Sequence, residues 1–171
     1  MIYDLKGEAT MQPIVGMLYS AVKENYERLQ LITKDMSQQE MDYQGPKDNY
    51  NSTAQLINHI LCVDIHWVYR IKDEPLPVSL KAQYEPMLDA NNRLPMVKDK
   101  SWGTLVSECQ SLLVMFNHIC LTLTDAGLDK VVQFGFNNEK QATIRWGIWH
   151  MADHNRYHQA HINQLRKWYK E

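Results

Sequence analysis

Four stretches, each longer than twenty residues, repeat apolar side chains at steps of three, four or seven. That helical period limits what this chain can fold into more than any other feature. The first stretch runs from Thr10 to Thr33, with Pro13 at an early position where its missing N–H costs nothing, and with Ile14, Leu18, Val22, Leu29 and Ile32 in phase. The second runs from Ser52 to Lys72. Ser52 and Gln55 spell a capping box, Leu56, Ile60, Val63 and Trp67 form a stripe, and Pro75 and Pro77 end it. In the third, Ser101 to Leu123, Leu105, Leu112, Met115, Ile119 and Leu123 share a face and Gly127 is the expected stop. The fourth, Thr143 to Tyr169, has Thr143 as cap and Ile144, Gly147, Met151, Ile162 and Leu165 along one side.

The connections are less regular. Pro75 to Lys100 reads as a long crossover with short helical pieces, Ser37–Tyr43 as a short helix broken by Gly45-Pro46, and Val131–Phe136 with Glu139–Ala142 as a small hairpin around Asn137-Asn138. Four helices with one long connection predict an all-α, four-helix-bundle fold. No repeat, low-complexity tract or linker divides the chain, so residues 1–171 read as one domain.

Charge and composition exclude several functions. A net charge of −2, with no clustered Lys/Arg face, gives no pull towards nucleic acid or anionic lipid. No uninterrupted apolar run is long enough for a membrane span, and MIYDLKGEAT lacks a signal-peptide core. Cys62, Cys109 and Cys120 are odd in number and widely spaced, without a C-x-x-C pair, which predicts free thiols in a reducing, cytoplasmic compartment. Motifs for a serine hydrolase, a P-loop, a Rossmann site and a zincin are all missing, as are the paired Glu-x-x-His motifs of a di-iron bundle.

Histidine carries the chemistry. Four of the seven histidines lie in W-H-M-A-D-H-N-R-Y-H-Q-A-H at 149–161. His154 and His158 are four apart, about 40° on a helix, so both imidazoles stand on one face where two ring nitrogens reach one metal. His150, Gly147, Met151, His161, Ile162 and Leu165 fall within about 80° of His154, whereas Asp153, Arg156, Gln159 and Asn163 point away. A third ligand must come from another helix. His59, on the apolar stripe of the second, is the first candidate, and His118 on the third is an alternative. His66 lies two turns beyond His59, about 10.5 Å along the axis, and reads as a pocket wall. His150 and His161 are candidates for moving protons, because imidazole titrates near neutrality. Trp67, Trp149 and Tyr157 are candidates to shape a pocket. Cys62 reads as a small buried thiol.

These residues resemble a known family. Q-L-I-N-H-I-L-C-V-D-I-H-W at 55–67 resembles the second-helix signature of the DinB/YfiT-like proteins, and I-W-H-M-A-D-H-N-R-Y-H-Q-A-H-I at 148–162 their last-helix signature. The resemblance implies an up-down-down-up four-helix bundle, often a homodimer. It implies one divalent metal ion, zinc or nickel, on residues matching His59, His154 and His158, beside a small-molecule pocket. It also implies, for some branches, S-transferases or isomerases that use a low-molecular-weight thiol; three neutral imidazoles with an open metal position would equally let bound water attack, which makes a metal-dependent hydrolase the other enzyme reading. Non-catalytic, metal-dependent small-molecule binding or a stress-response role is the rival, and a helical dimer with incidental histidines a third reading. The usual R-G-Q-I after the last ligand is Gln159-Ala160-His161-Ile162 here, which removes an arginine and adds an imidazole.

Overall fold

In a computed structural model, which describes residues 2–135 and 137–171, the chain forms six helices and one two-stranded antiparallel sheet. They are α1 (Pro13–Thr33), α2 (Gln38–Asp42), α3 (Thr53–Lys72), α4 (Val78–Tyr84), α5 (Trp102–Thr122), β1 (Val131–Phe134), β2 (Lys140–Thr143) and α6 (Ile144–Lys170). The four long helices are α1, α3, α5 and α6. They pack as a closed ring of neighbours, α1 against α5, α5 against α3, α3 against α6 and α6 against α1.

Local chemistry sets the helix ends. Ser52 and Gln55 make the complete capping box of α3, while Ser101 Oγ accepts from Thr104 N and Thr143 Oγ1 from Trp146 N. α3 stops at Asp73, which is left-handed (φ 59°) and donates its N–H back to the carbonyls of Tyr69 and Arg70. α1 has no cap of its own. Instead the Asp125 carboxylate accepts from Ile14 N and Val15 N, both at 3.0 Å, bringing a negative charge to the helix N-terminus. α5 ends at Leu123, whose backbone is extended, so Gly127 is not its stop; Gly127 lies in a following 3-10 turn. The hairpin pairs Val131 with Thr143 and Phe134 with Lys140, one residue later on the second strand than the sequence suggests. Phe136, expected in the first strand, lies outside the described residues.

The core draws on all four long helices. On α3 it includes the expected stripe of Leu56, Ile60, Val63 and Trp67, and on α6 the expected Ile144, Gly147, Met151, Ile162 and Leu165. α1 is turned from the expected face. It buries Val15, Tyr19, Val22, Tyr26, Leu29 and Thr33, while Ile14 is exposed and Leu18 and Ile32 are half-buried. On α5 the buried edge is Leu105, Cys109, Leu112, Phe116 and Cys120, and Met115, Ile119 and Leu123 are only half-buried. α5 is also the one described helix long and apolar enough to cross a membrane by length and composition.

α6 is fastened along its length. Asn25 Nδ2 donates to the Ala152 carbonyl (3.2 Å), and Gln159 Nε2 donates to the Asn25 carbonyl and to Asn155 Oδ1 (both 2.8 Å). Gln159 is therefore buried against α1 instead of pointing to solvent. Further down, Arg166 bridges Glu40 of α2 and the Ile32 carbonyl. These bonds fix the rotation of α6 about its axis, and so which way its histidines point.

Candidate metal centre

α3 and α6 lie side by side, and His59 meets the pair presented by α6. His154 Nε2 is 3.2 Å from His59 Nε2 and 3.0 Å from His158 Nε2, and one ligand nitrogen from each ring falls within 4.8 Å of the others. The rings meet edge to face, with centroids 5.0 Å (59–154), 5.1 Å (59–158) and 4.5 Å (154–158) apart.

The cluster cannot satisfy itself by hydrogen bonding. A ring nitrogen has one N–H or one lone pair. His154 Nε2 faces two other nitrogens and can make one good hydrogen bond between them. Nδ1 of His59 and Nδ1 of His154 are buried with no hydrogen-bond partner, so exchanging tautomers gains nothing. A cation taking one lone pair from each ring resolves the conflict. Two imidazole nitrogens bound at tetrahedral angles to one zinc ion stand about 3.3–3.4 Å apart, close to the spacing found here.

The three rings are also held neutral, the form that binds metal. Burial pulls His59 down to about 4. Burial first, then the neighbouring histidines, pulls His154 and His158 down to about 3. Protons thus compete for these nitrogens only far below the usual histidine value of 6.5. Zinc bound here is expected to stay bound as pH falls past 6.5 and to leave only towards pH 4 to 3. A zinc-release titration with a chromophoric chelator checks this; release centred near pH 6.5 would show solvated, ordinary imidazoles.

The other expected site residues occupy several environments. His150 stacks on Trp146 (4.8 Å, 9° between planes), one turn before His154. Burial lowers its pKa, against the pull of Asp153. His161 is exposed, with Nδ1 3.5 Å from His158 Nδ1 and its ring 4.5 Å from that of Tyr157. Tyr157 and Trp149 are largely exposed. His66 pairs through Nε2 with Glu85 (3.2 Å) on the crossover. Trp67 is 2% exposed and serves the core, lying under Gly147. His118 is exposed on α5 and outside the cluster. Cys62 is buried, and burial raises its thiol to about 12, against a nucleophilic role.

Two features go beyond the residues named from the sequence. A cleft of about 760 Å³ opens beside His161, walled by the 44–51 segment, the start of α3, the crossover loop and the last turns of α6, and none of His59, His154 and His158 lines it. It includes His161 but none of His66, Trp67, Trp149 or Tyr157. The other is Asp64, 0% exposed in α3, which accepts a 2.7 Å hydrogen bond from the Tyr26 hydroxyl while its Oδ1 has no partner. A lone acid within I-L-C-V-D-I was the signal for it. Burial raises the Asp64 pKa well above 3.8, outweighing the Tyr26 hydrogen bond. The unfolded chain releases this proton near 3.8 and the folded one only at much higher pH, so folding takes up a proton and stability falls as pH rises through that window. Asp64→Asn keeps an acceptor for Tyr26 and cannot ionise. Its stability relative to the parent is expected to improve steadily from pH 4 to pH 7 in urea unfolding of the metal-free protein; a constant difference would mean that Asp64 titrates normally.

Comparison with known proteins agrees with this architecture. The sequence profile of the DinB superfamily matches residues 21–162, and the chain belongs to that superfamily. It is also similar to a protein of Bacillus subtilis (strain 168), the uncharacterized protein YkkA, at 45% identity over 169 residues, covering 98% of this chain and 95% of that one.

Proposed function

We propose that this protein is a metal-dependent enzyme of the DinB-like type, in which His59, His154 and His158 hold one divalent ion, zinc or nickel, and a small molecule reacts by hydrolysis or thiol transfer. The observation that supports this reading is His154 Nε2 caught between two other imidazole nitrogens at 3.2 and 3.0 Å, a contact set that a shared cation would satisfy. Three neutral ligands leave the ion its full charge and a coordination position for a reactant, as in catalytic rather than structural zinc sites. When bound, such an ion supplies Lewis acidity that makes a nucleophile of water or a thiol near neutral pH.

The chain's own groups supply the rest. His150 and His161 flank the triad on either side and are placed to hold or pass a proton. The neighbouring cleft receives the substrate, and its volume suits a small organic molecule. The test is turnover by zinc- and nickel-loaded protein on a panel of simple esters and amides, and on an electrophile with several low-molecular-weight thiols. Metal-dependent turnover on any of these, lost in His154→Ala, supports the enzyme. Stoichiometric metal without turnover supports the rival reading, a non-catalytic metal-dependent binding protein of the stress response.

The up-down-down-up course of the long helices belongs to the same proposal, as does pairing of two copies. The outer face of α5 suits pairing. Glu108, the one Asp, Glu, Lys or Arg in this 21-residue helix, is occupied by Lys100 at 2.7 Å, while Val114 and Leu121 are 56% and 45% exposed. A face without charge meets its own copy without repulsion. Val114→Glu is expected to convert a dimer into a monomer in light scattering; an unchanged mass would remove α5 from the interface.

A further inference from the structure

The cleft beside the histidines has a chemical character of its own. It begins one helical turn from the triad on each of the two ligand-bearing helices, at Leu56, three residues before His59, and at His161, three after His158. None of the three imidazoles lines the cleft itself, which approaches them through Leu56 and His161.

Its walls are preorganised. Gln55, 3% exposed, spends its whole side chain on them. Its Oε1 accepts from Ser52 N (2.9 Å) and Gln44 Nε2 (3.3 Å), and its Nε2 donates to the carbonyls of Leu94 (3.2 Å) and Pro95 (3.1 Å). This single carboxamide joins the segment after α2, the cap of α3 and the crossover loop into one surface.

The remaining lining selects by charge and shape. Asn49, Asn51, Asn92 and Gln164 are among the lining residues, and a carboxamide both donates and accepts and so matches hydroxyl and amide groups. No lysine lines the cleft, and its one arginine, Arg93, faces Asp89 with Nε 3.6 Å from Oδ2. A second carboxylate, Asp48, is also in the wall. With two carboxylates against one guanidinium, the lining carries a net negative charge that disfavours a phosphate or carboxylate. At one edge the rings of Tyr50 and Trp168 lie 4.7 Å apart, tilted by 46°, and Tyr50 is half exposed, which leaves an aromatic face beside the carboxamides.

We propose that this cleft binds an uncharged, hydroxyl-rich ring with one apolar face, the chemistry of a neutral glycoside, and discriminates against phosphorylated or carboxylated ligands. The proposal builds on the metal-enzyme reading, because it supplies the non-reacting part of that enzyme's substrate, yet the cleft is tested separately from the metal. The probes are p-nitrophenyl β-D-glucopyranoside and its 6-phosphate, examined by saturation-transfer NMR and calorimetry with metal-loaded protein, with chelator-treated protein and with His158→Ala.

Saturable binding of the neutral glycoside is expected in all three preparations, with the 6-phosphate bound at least tenfold more weakly. Trp168→Ala is expected to weaken glycoside binding about five- to tenfold, the worth of one aromatic stacking contact. Gln164→Ala, on the exposed side of α6, is expected to weaken it too, and serves if Trp168→Ala does not fold by circular dichroism. Equal or tighter binding of the 6-phosphate, no glycoside binding in any preparation, or unchanged binding in the folded variants overturns the proposal. Binding that persists in chelator-treated protein while metal uptake fails would overturn the metal reading and leave the cleft assignment standing.

Discussion

Replacing His158 with alanine is expected to weaken zinc or nickel binding on the order of a hundredfold or more, and to leave the protein metal-free after ordinary purification without a tag. Apparent free energies for protein zinc sites at neutral pH are about 10–16 kcal/mol. Shared over three ligands, one imidazole carries about 3–5 kcal/mol, and 1.4 kcal/mol is a factor of ten. Water can fill the lost position only in part, because the site's other nitrogens were desolvated to receive the metal. His158 is also the member of the triad whose Nδ1 has a neighbour, His161 at 3.5 Å. His161→Ala is therefore expected to cost less, about tenfold, by freeing the orientation of the ligand ring. Competitive titration against a chelator of known affinity reads both. Parent-like affinity in His158→Ala would show that the metal, if any, binds elsewhere.

Gly147→Ala is expected to destabilise the protein by about 2 kcal/mol, although alanine is the better helix former by about 1 kcal/mol. A Cβ at this position falls 2.4 Å from Cε3 and Cζ3 of Trp67. The indole has no room to retreat. It is 2% exposed and packed against Phe134 at 5.4 Å and Trp146 at 5.8 Å between ring centroids. The only relief is to push α6 away from α3. That movement separates His154 and His158 from His59, so the variant should also lose metal affinity without losing a ligand. For a chain of this length 2 kcal/mol corresponds to a fall of about 4–8 °C in Tm. Trp67→Phe should remove most of the penalty, which a double-mutant cycle would detect. A neutral or stabilising Gly147→Ala would mean that α3 and α6 are not in such close contact.

The helices and the triad were legible because each rests on local periodicity. A cap residue followed by a stripe located α3 and α6 to within a residue, and the i, i+4 spacing of His154 and His158 did not depend on the fold. His59 followed because it shares a stripe with Leu56, Ile60 and Val63. Failures occurred where side-chain type misreports burial. On α1 the core positions are held partly by Tyr19, Tyr26 and Thr33, which carry polar atoms, so the purely apolar Ile14, Leu18 and Ile32 suggested a face turned by most of a residue. On α5 almost every residue is uncharged, and Met115 and Ile119 look as suitable for the core as Phe116 and Cys120. Gln159 looks like a surface residue until the Asn25 carbonyl opposite it is known. A pocket is expected from the family resemblance, but the residues that line the cleft are not. Its walls come from two connections and the ends of α3 and α6, the connections joined by Gln55, and no local period records such long-range closure.

X-ray diffraction collected on either side of the zinc and nickel absorption edges, from untagged protein, would locate the ion directly. One anomalous peak per chain is expected, in bonding contact with Nε2 of His59, His154 and His158. A peak at any other position, or three imidazoles packed together in zinc-soaked crystals with no peak between them, would contradict the metal centre.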